Sequence, residues 1–363
     1  MTSAAASLPL APPAVARKTL LLQTSVALLL SLAIGLYFWI DSRYPALLKK
    51  LHSGQAIHVS GVLSFDALMP VTPSMPVMTR IERTSVNWMW TNRIGMTFGI
   101  CFGAALLTLL STLPQIRLKS AAGNTALGAV VGVPLGVCAN CVAPIGRGLF
   151  VAGASSNTVL ATMISSPMLN VVVLAMAFSL FPLKIALVRL AAPLVLIALV
   201  PVVVRQTEPS ADSFASVRGA ERWLPPIGGT LKNYFRHLAR LAASTIPLMI
   251  LAAVLGAVVA ELVPAQDVPA RVSVVGIILV ALVGTFLPVP MAFDVAAAFI
   301  LMSRGVPMPY IVTLLCTLGA FSIYPMLILG RTVSWRTGVT LFGTVMLLGI
   351  CVGVGTALLQ HNL

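Results

Sequence analysis

Acidic side chains are almost missing from this sequence: nine Asp and Glu stand among 363 residues, against 23 Lys and Arg. Charged residues of both signs make up 9% of the chain, where a soluble domain carries roughly a quarter. With 58% of residues hydrophobic, this shortage excludes an aqueous surface, so most of the exterior faces lipid. Cysteine is scarce as well. The five (Cys101, Cys138, Cys141, Cys316 and Cys351) all lie in apolar segments. The long polar stretches have none, which excludes a disulfide framework. Catalytic signatures are also lacking: there is no His-Glu-x-x-His, no Gly-x-x-x-x-Gly-Lys and no Gly-x-Ser-x-Gly. No enzyme activity, ATP hydrolysis or resident cofactor is expected. If the chain transports, its energy comes from an ion gradient, the solute gradient or a separate subunit.

What the sequence does have is long apolar runs. Thr19–Ile40, Ile94–Leu113, Thr158–Phe181, Ile185–Val204, Leu238–Val263, Tyr310–Leu329 and Gly338–Leu358 each have membrane length. The first run is too long for a signal-peptide core, and no small-residue cleavage site follows it, so an uncleaved anchor is expected. Two further apolar stretches are interrupted, Ala122–Gly153 around Pro134, Cys138–Cys141 and Pro144, and Val272–Gly305 around Pro288-Val289-Pro290. Proline removes a backbone donor. Broken backbone at membrane depth is tolerated only where protein or a water-filled cavity surrounds it. Re-entrant hairpins, or pairs of short helices, are therefore expected at both places.

The net charge of +14 does not point to nucleic acid, because the basic residues sit in the short gaps between apolar runs, where they anchor helices and set orientation. If both interrupted stretches are hairpins and the N-terminus is inside, then Arg117, Lys119, Arg205, Arg218, Arg222, Lys232, Arg236, Arg331 and Arg336 all fall inside. This arrangement satisfies the positive-inside bias. The expected location is the cell inner membrane, multi-pass, with a cytoplasmic N-terminus.

An internal repeat follows. Each half reads as a helix, a broken stretch and two helices. Pro134 matches Pro288, Gly153-Ala154-Ser155 matches Gly305-Val306-Pro307, and Ser166–Asn170 matches Leu318–Ser322. The fold class is thus an all-α polytopic membrane protein with an inverted repeat and one N-terminal helix. The expected organisation is a tail and anchor helix over 1–40, an extracytoplasmic loop over 41–92, repeat 1 over 93–204, a cytoplasmic linker over 205–236 and repeat 2 over 237–358. Paired broken segments in inverted halves point to a binding site near the midplane.

Cys138-Ala139-Asn140-Cys141 lies between Pro134 and Pro144. Thiols at this spacing can converge on one soft ion such as Cu(I), Zn(II) or trivalent arsenic, with Arg147 as a nearby cation. Asp294 is the only acidic residue in an apolar core. A charge there costs ~2.5–3.5 kcal/mol on insertion scales, so it titrates, binds a cation or pairs with Arg147 or Arg304. Asn140, Ser165, Ser166 and Asn170 are polar at membrane depth and either line a path or join helices.

The Cys138–Asn170 segment resembles the predicted permease family that includes the trivalent organoarsenical efflux permeases. The carriers of the likeness are Cys138, Pro144 six residues on, Gly153-Ala154-Ser155 and Ser166-Pro167. The likeness extends over Gly95–Gly353, with its specific motifs in about thirty residues. Asn140 stands where the family commonly has its second Cys, and Cys141 comes one place later. The resemblance implies a permease, with some members tied to heavy-metal handling. The reading is a permease for a small solute, a thiophilic metal or metalloid species, with Cys138, Asn140, Cys141, Arg147, Ser166, Asn170 and Asp294 as the substrate site and Cys138 and Cys141 as the metal ligands. Its partners are membrane lipid and the solute, with self-association open. The rivals are a membrane dithiol/disulfide redox protein and a non-transporting subunit of a larger complex.

Overall fold

A computed structural model describes residues 14–45, 48, 68–113, 117–207, 227–262 and 272–360. The linker residues 208–226 and most of the 41–76 loop lie outside the described residues. Among the described residues every regular element is helical. Helix α1 (Ala14–Phe38) continues through a π-helical turn, Trp39–Arg43, and α2 covers Val77–Thr112. The pairs α3 (Ala121–Leu135) with α4 (Ala139–Val151) and α5 (Ser156–Met168) with α6 (Val171–Leu180) precede α7 (Leu183–Thr207). The second half repeats this succession: α8 (Ile227–Leu262), α9 (Val274–Phe286) with α10 (Phe293–Ser303), α11 (Met308–Thr317) with α12 (Ile323–Thr332), and α13 (Trp335–Leu359).

The exterior is apolar like the core, which also buries large side chains such as Ile145, Leu160 and Phe321. Leu29, Leu36, Val130 and Val275 are exposed, whereas Thr162, Thr313, Thr317 and Asn140 are wholly buried. Lipid solvates the aliphatic side chains, and small and polar residues form the helix contacts. Among the described residues five helices are long and apolar enough to span a membrane: α1, α2, α7, α8 and α13. The α5–α6 pair makes a sixth, bent by 42°.

Two expected helices are broken. Thr158–Phe181 divides after Met168: Pro167 cannot donate within the ladder, and Asn170 takes an extended backbone conformation and caps α6, accepting from Val172 N at 2.9 Å. Tyr310–Leu329 divides at Leu318–Ser322, where Gly319 takes φ +76°. Helix α2 begins at Val77 rather than Ile94, which places Trp88 and Trp90 within it, and α8 begins at Ile227 rather than Leu238.

The contacts fix the direction of each helix. Arg117, just before α3, donates from Nε to the Gly153 carbonyl just after α4 at 2.9 Å. The α3–α4 stretch therefore enters and leaves on one face and is re-entrant. Thr158 Oγ1 donates to the Asn124 carbonyl at 3.0 Å, and Thr162 Oγ1 to the Gly128 carbonyl at 3.0 Å, so α3 and α5 run parallel. In the second half Ser273 N donates to Tyr310 Oη at 3.1 Å, which closes α9–α10 in the same way. There Gly276 abuts Tyr310 and Gly284 abuts Thr317, so α9 and α11 run parallel too. Arg80 at the start of α2 pairs with Glu261 at the end of α8, and Thr108 meets His237 at the other ends of these helices. Repeat 1 thus starts on the face where repeat 2 ends, and the halves are inverted.

Both hairpins start alike. Ser120 caps α3 by accepting from Gly123 N at 3.0 Å, and Ser273 caps α9 by accepting from Gly276 N at 3.0 Å.

Candidate functional site

Each half contributes two breaks, and all four come together. In the first, Pro134 lies in the last turn of α3, Gly136 takes the left-handed conformation at φ +55°, and Cys138 caps α4, accepting from Cys141 N at 3.2 Å. The second is Leu169–Asn170. The third is Leu287–Ala292, built by Pro288 and Pro290, with Ala292 left-handed at φ +65°. A non-glycine residue there carries steric strain of roughly 1–2 kcal/mol. The fourth is Leu318–Ser322.

Side-chain bonds join the breaks across the halves. Asn140 is fully buried; its Nδ2 donates to the Val289 carbonyl at 3.0 Å, and its Oδ1 accepts from Ser322 Oγ at 2.9 Å. Asn170 Nδ2 donates to Met291 Sδ at 3.1 Å. Ser166 Oγ accepts from Val137 N at 3.3 Å and holds the first break against α5. A narrow cleft opens at the junction, lined in part by Cys138, Pro167, Met291, Ala292, Asp294 and Gly319.

Cys138 and Cys141 form a disulfide with Cα atoms 5.1 Å apart. In this state neither sulfur is a thiolate ligand, and the soft-ion reading applies to the reduced pair. Glycines of α2 make room for the motif: a Cβ on Gly95 would strike Cys141 Sγ, and one on Gly99 would strike the Cys141 carbonyl. Asn92 Oδ1 stands 3.9 Å from Cys138 Sγ, positioned to accept from the thiol when the bond is reduced. Among the described residues no three of His, Cys, Asp and Glu gather as metal ligands.

Asp294 pairs with Arg189 of α7, which donates from Nη2 to Oδ2 at 2.8 Å with side chains 1% and 4% exposed. The expected partners Arg147 and Arg304 are not used. Arg147 lies farther along α4, half-buried, and reaches Thr332 Oγ1 at 3.5 Å. The junction thus gathers Cys138, Cys141, Asn140, Ser166, Asn170 and Asp294 and leaves Arg147 outside. Sequence reasoning missed Arg189, although a lone Arg inside the apolar run Ile185–Val204 was a signal. It also missed Asn92, Gly95 and Gly99, whose i, i+3, i+7 spacing puts them on one face of α2. Trp39, in the π-helical turn that continues α1, donates to the Pro134 carbonyl at 2.8 Å and lies over Gly136, so the N-terminal helical segment touches the first break.

The chain is 29% identical over 259 residues, 69% of its own length and 71% of the relative's, to UPF0718 protein YraQ of Escherichia coli (strain K12). No solved structure matches it. The profile of one family, described as predicted permease, matches residues 93–357, from the middle of α2 to the end of α13. The inverted repeat with its four facing breaks lies within that match, and this chain belongs to the predicted permease family.

Proposed function

We propose that this permease moves a small thiophilic metal or metalloid species through the junction of the four breaks, with the reduced Cys138–Cys141 pair as its soft ligands. The observation that carries the reading is the shared cleft: Cys138 and the Met291 thioether line it together with Asp294. Thiolate and thioether ligands select soft ions. Broken backbone at membrane depth, supported by Asn140 and Asn170, supplies the polar surroundings of a solute site. Alternating access would rock one repeat against the other about this junction. The disulfide is the resting state of the site, and reduction frees the ligands.

The orientation belongs to the same proposal. Arg117, Lys119, Arg205, Lys232, Arg236, Arg331 and Arg336 gather at the helix ends of one face, which supports a cytoplasmic assignment for that face, and with it a cytoplasmic N-terminus in the inner membrane.

Uptake into proteoliposomes tests the reading, with Zn(II), Cu(I), arsenite and methylarsenite offered under reducing conditions to wild type and to Cys138→Ser/Cys141→Ser. Transport by wild type that the double variant loses is the expected result. No transport of any of the four removes the thiophilic solute. The Cys138–Cys141 bond favours a second reading, a membrane dithiol/disulfide protein. In that case the pair cycles between alkylatable and protected forms with an added oxidant, and the four solutes do not move.

A further inference from the structure

Arg189 has more hydrogen-bonding capacity than the protein around it satisfies. Nη2 donates to Asp294, whereas Nε and Nη1 are buried with no acceptor among the described residues. A guanidinium keeps its charge at any working pH, and a buried ion pair is favourable only when its remaining donors are matched. This pair is matched on one nitrogen. Its carboxylate partner lines the cleft, so whatever enters the cleft meets Asp294 with Arg189 directly behind it.

Charge conservation decides what can follow. With the pair intact the site is neutral. A proton on Asp294 leaves a lone cation deep among apolar side chains, a costly state. An anion on Arg189 beside an ionised Asp294 leaves a lone negative charge, which is equally costly. Only proton and anion together keep the site neutral. Among the described residues the surroundings offer no other carboxylate. Helices α5 and α6 carry no ionisable side chain, α11 contributes Tyr310 and Cys316, and α4 offers Cys138 to the cleft. Lys184 and Arg205 lie toward the ends of α7, and Arg304 caps the far end of α10.

We propose that Arg189 is an anion receptor and Asp294 its stand-in. A small solute bearing a carboxylate or oxyanion group takes Arg189 as Asp294 takes a proton, so one anion and one proton occupy the junction together and cross without net charge. This rests on the permease reading and not on the soft-ligand pair: among the species a thiol site accepts it fits those that carry an anionic group, not a bare metal cation, and it makes the proton the coupling ion.

The test uses the purified full-length chain in detergent, with acetate as the carboxylate probe and nitrate as the oxyanion probe, at constant ionic strength set with chloride. Asp294→Asn mimics the protonated carboxyl. At pH 8 the concentration of probe giving half-maximal thermal stabilisation is expected to be at least about tenfold lower for Asp294→Asn than for wild type. Arg189→Gln/Asp294→Asn is expected to show no saturable effect, and the probe that saturates lower identifies the solute group. Equal response of wild type and Asp294→Asn, or a response retained without Arg189, overturns the proposal. Should Asp294→Asn fail to fold, wild type in weak buffer at pH 7 is expected to take up about one proton per acetate bound, and no uptake overturns it. These are binding measurements, so their failure leaves thiol-dependent transport standing, and loss of that transport leaves anion binding intact.

Discussion

Separating the two charges of the Arg189–Asp294 pair should be far more damaging than removing both. The pair is 2.8 Å long, with side chains 1% and 4% exposed, so neither charge can relax into water. Removing one partner of such a pair typically costs about 3–5 kcal/mol, because the other stays buried and uncompensated. Replacing both by apolar residues of similar volume is often neutral or stabilising by about 1–4 kcal/mol. The two single losses should differ. A carboxylic acid left alone can become neutral by taking a proton, whereas a guanidinium cannot lose one. Asp294→Leu should therefore be the worse variant, Arg189→Met the milder, and the double variant close to wild type. Reversible unfolding of the full chain in mixed micelles, followed by far-UV circular dichroism at pH 7, reads all three against wild type. The coupling in this cycle is expected to be about 3 kcal/mol or more. A double variant as unstable as Asp294→Leu would refute the reasoning, since the two side chains would then stabilise the protein independently. A stable double variant that has lost transport would show that the pair is retained for function rather than folding.

Other substitutions test the junction and its framework. Gly99→Ala should destabilise by about 1–3 kcal/mol, as expected of overpacking, because its Cβ would strike the Cys141 carbonyl. Gly343→Ala in α13 meets nothing within 4 Å and should instead stabilise by about 0.5–1 kcal/mol; the same micelle titration checks both. Asn140→Ala leaves Ser322 Oγ and the Val289 carbonyl unmatched. It should cost about 1–3 kcal/mol and speed amide exchange at the third and fourth breaks. Trp39→Phe removes the bond to the Pro134 carbonyl and should cost about 1 kcal/mol, with faster exchange around Gly136. An unchanged exchange pattern would mean that α1 does not hold the first break.

Much of the architecture was legible because the bilayer imposes it. Membrane-length apolar runs, two proline-broken stretches and a basic bias on one side lead to an inverted repeat. The matched Pro134 and Pro288 do sit at equivalent breaks, as do Asn170 and Ser322. Hydropathy could not reveal the second break of each half. At Asn170 and Gly319 the chain stays apolar on both sides, so the interruption is carried by a cap and by one positive φ rather than by a change of polarity. The helix starts at Val77 and Ile227 were hidden for the opposite reason: polar turns extend each helix beyond the apolar run. Within the site, the Cys pair and Asp294 stood out because such residues are rare in hydrocarbon. Arg189 is as rare, but it lies inside an apolar run that reads as a plain spanning helix, whereas Arg147 and Arg304 follow the two proline-broken stretches and so stand out as partners for the carboxylate. The junction also depends on Asn92, Gly95 and Gly99, whose roles lie in what they face, and that appears only once α2 is laid along α4.

Pro134 precedes Asn140 by the same interval that separates Pro288 from Asp294, and each polar residue is the second of the helix that follows its break. The two are twins, alike in shape and different in one atom, an amide nitrogen in one half and a carboxylate oxygen in the other. The neutral twin ties its half to the opposite one through Ser322 and Val289; the charged twin holds the only acidic group that the described residues place at the junction. A protein assembled from two like halves has no inherent sense of direction. Here part of that sense comes from a single atomic exchange between duplicated positions, which sets one half to brace the molecule and leaves the other to respond to charge.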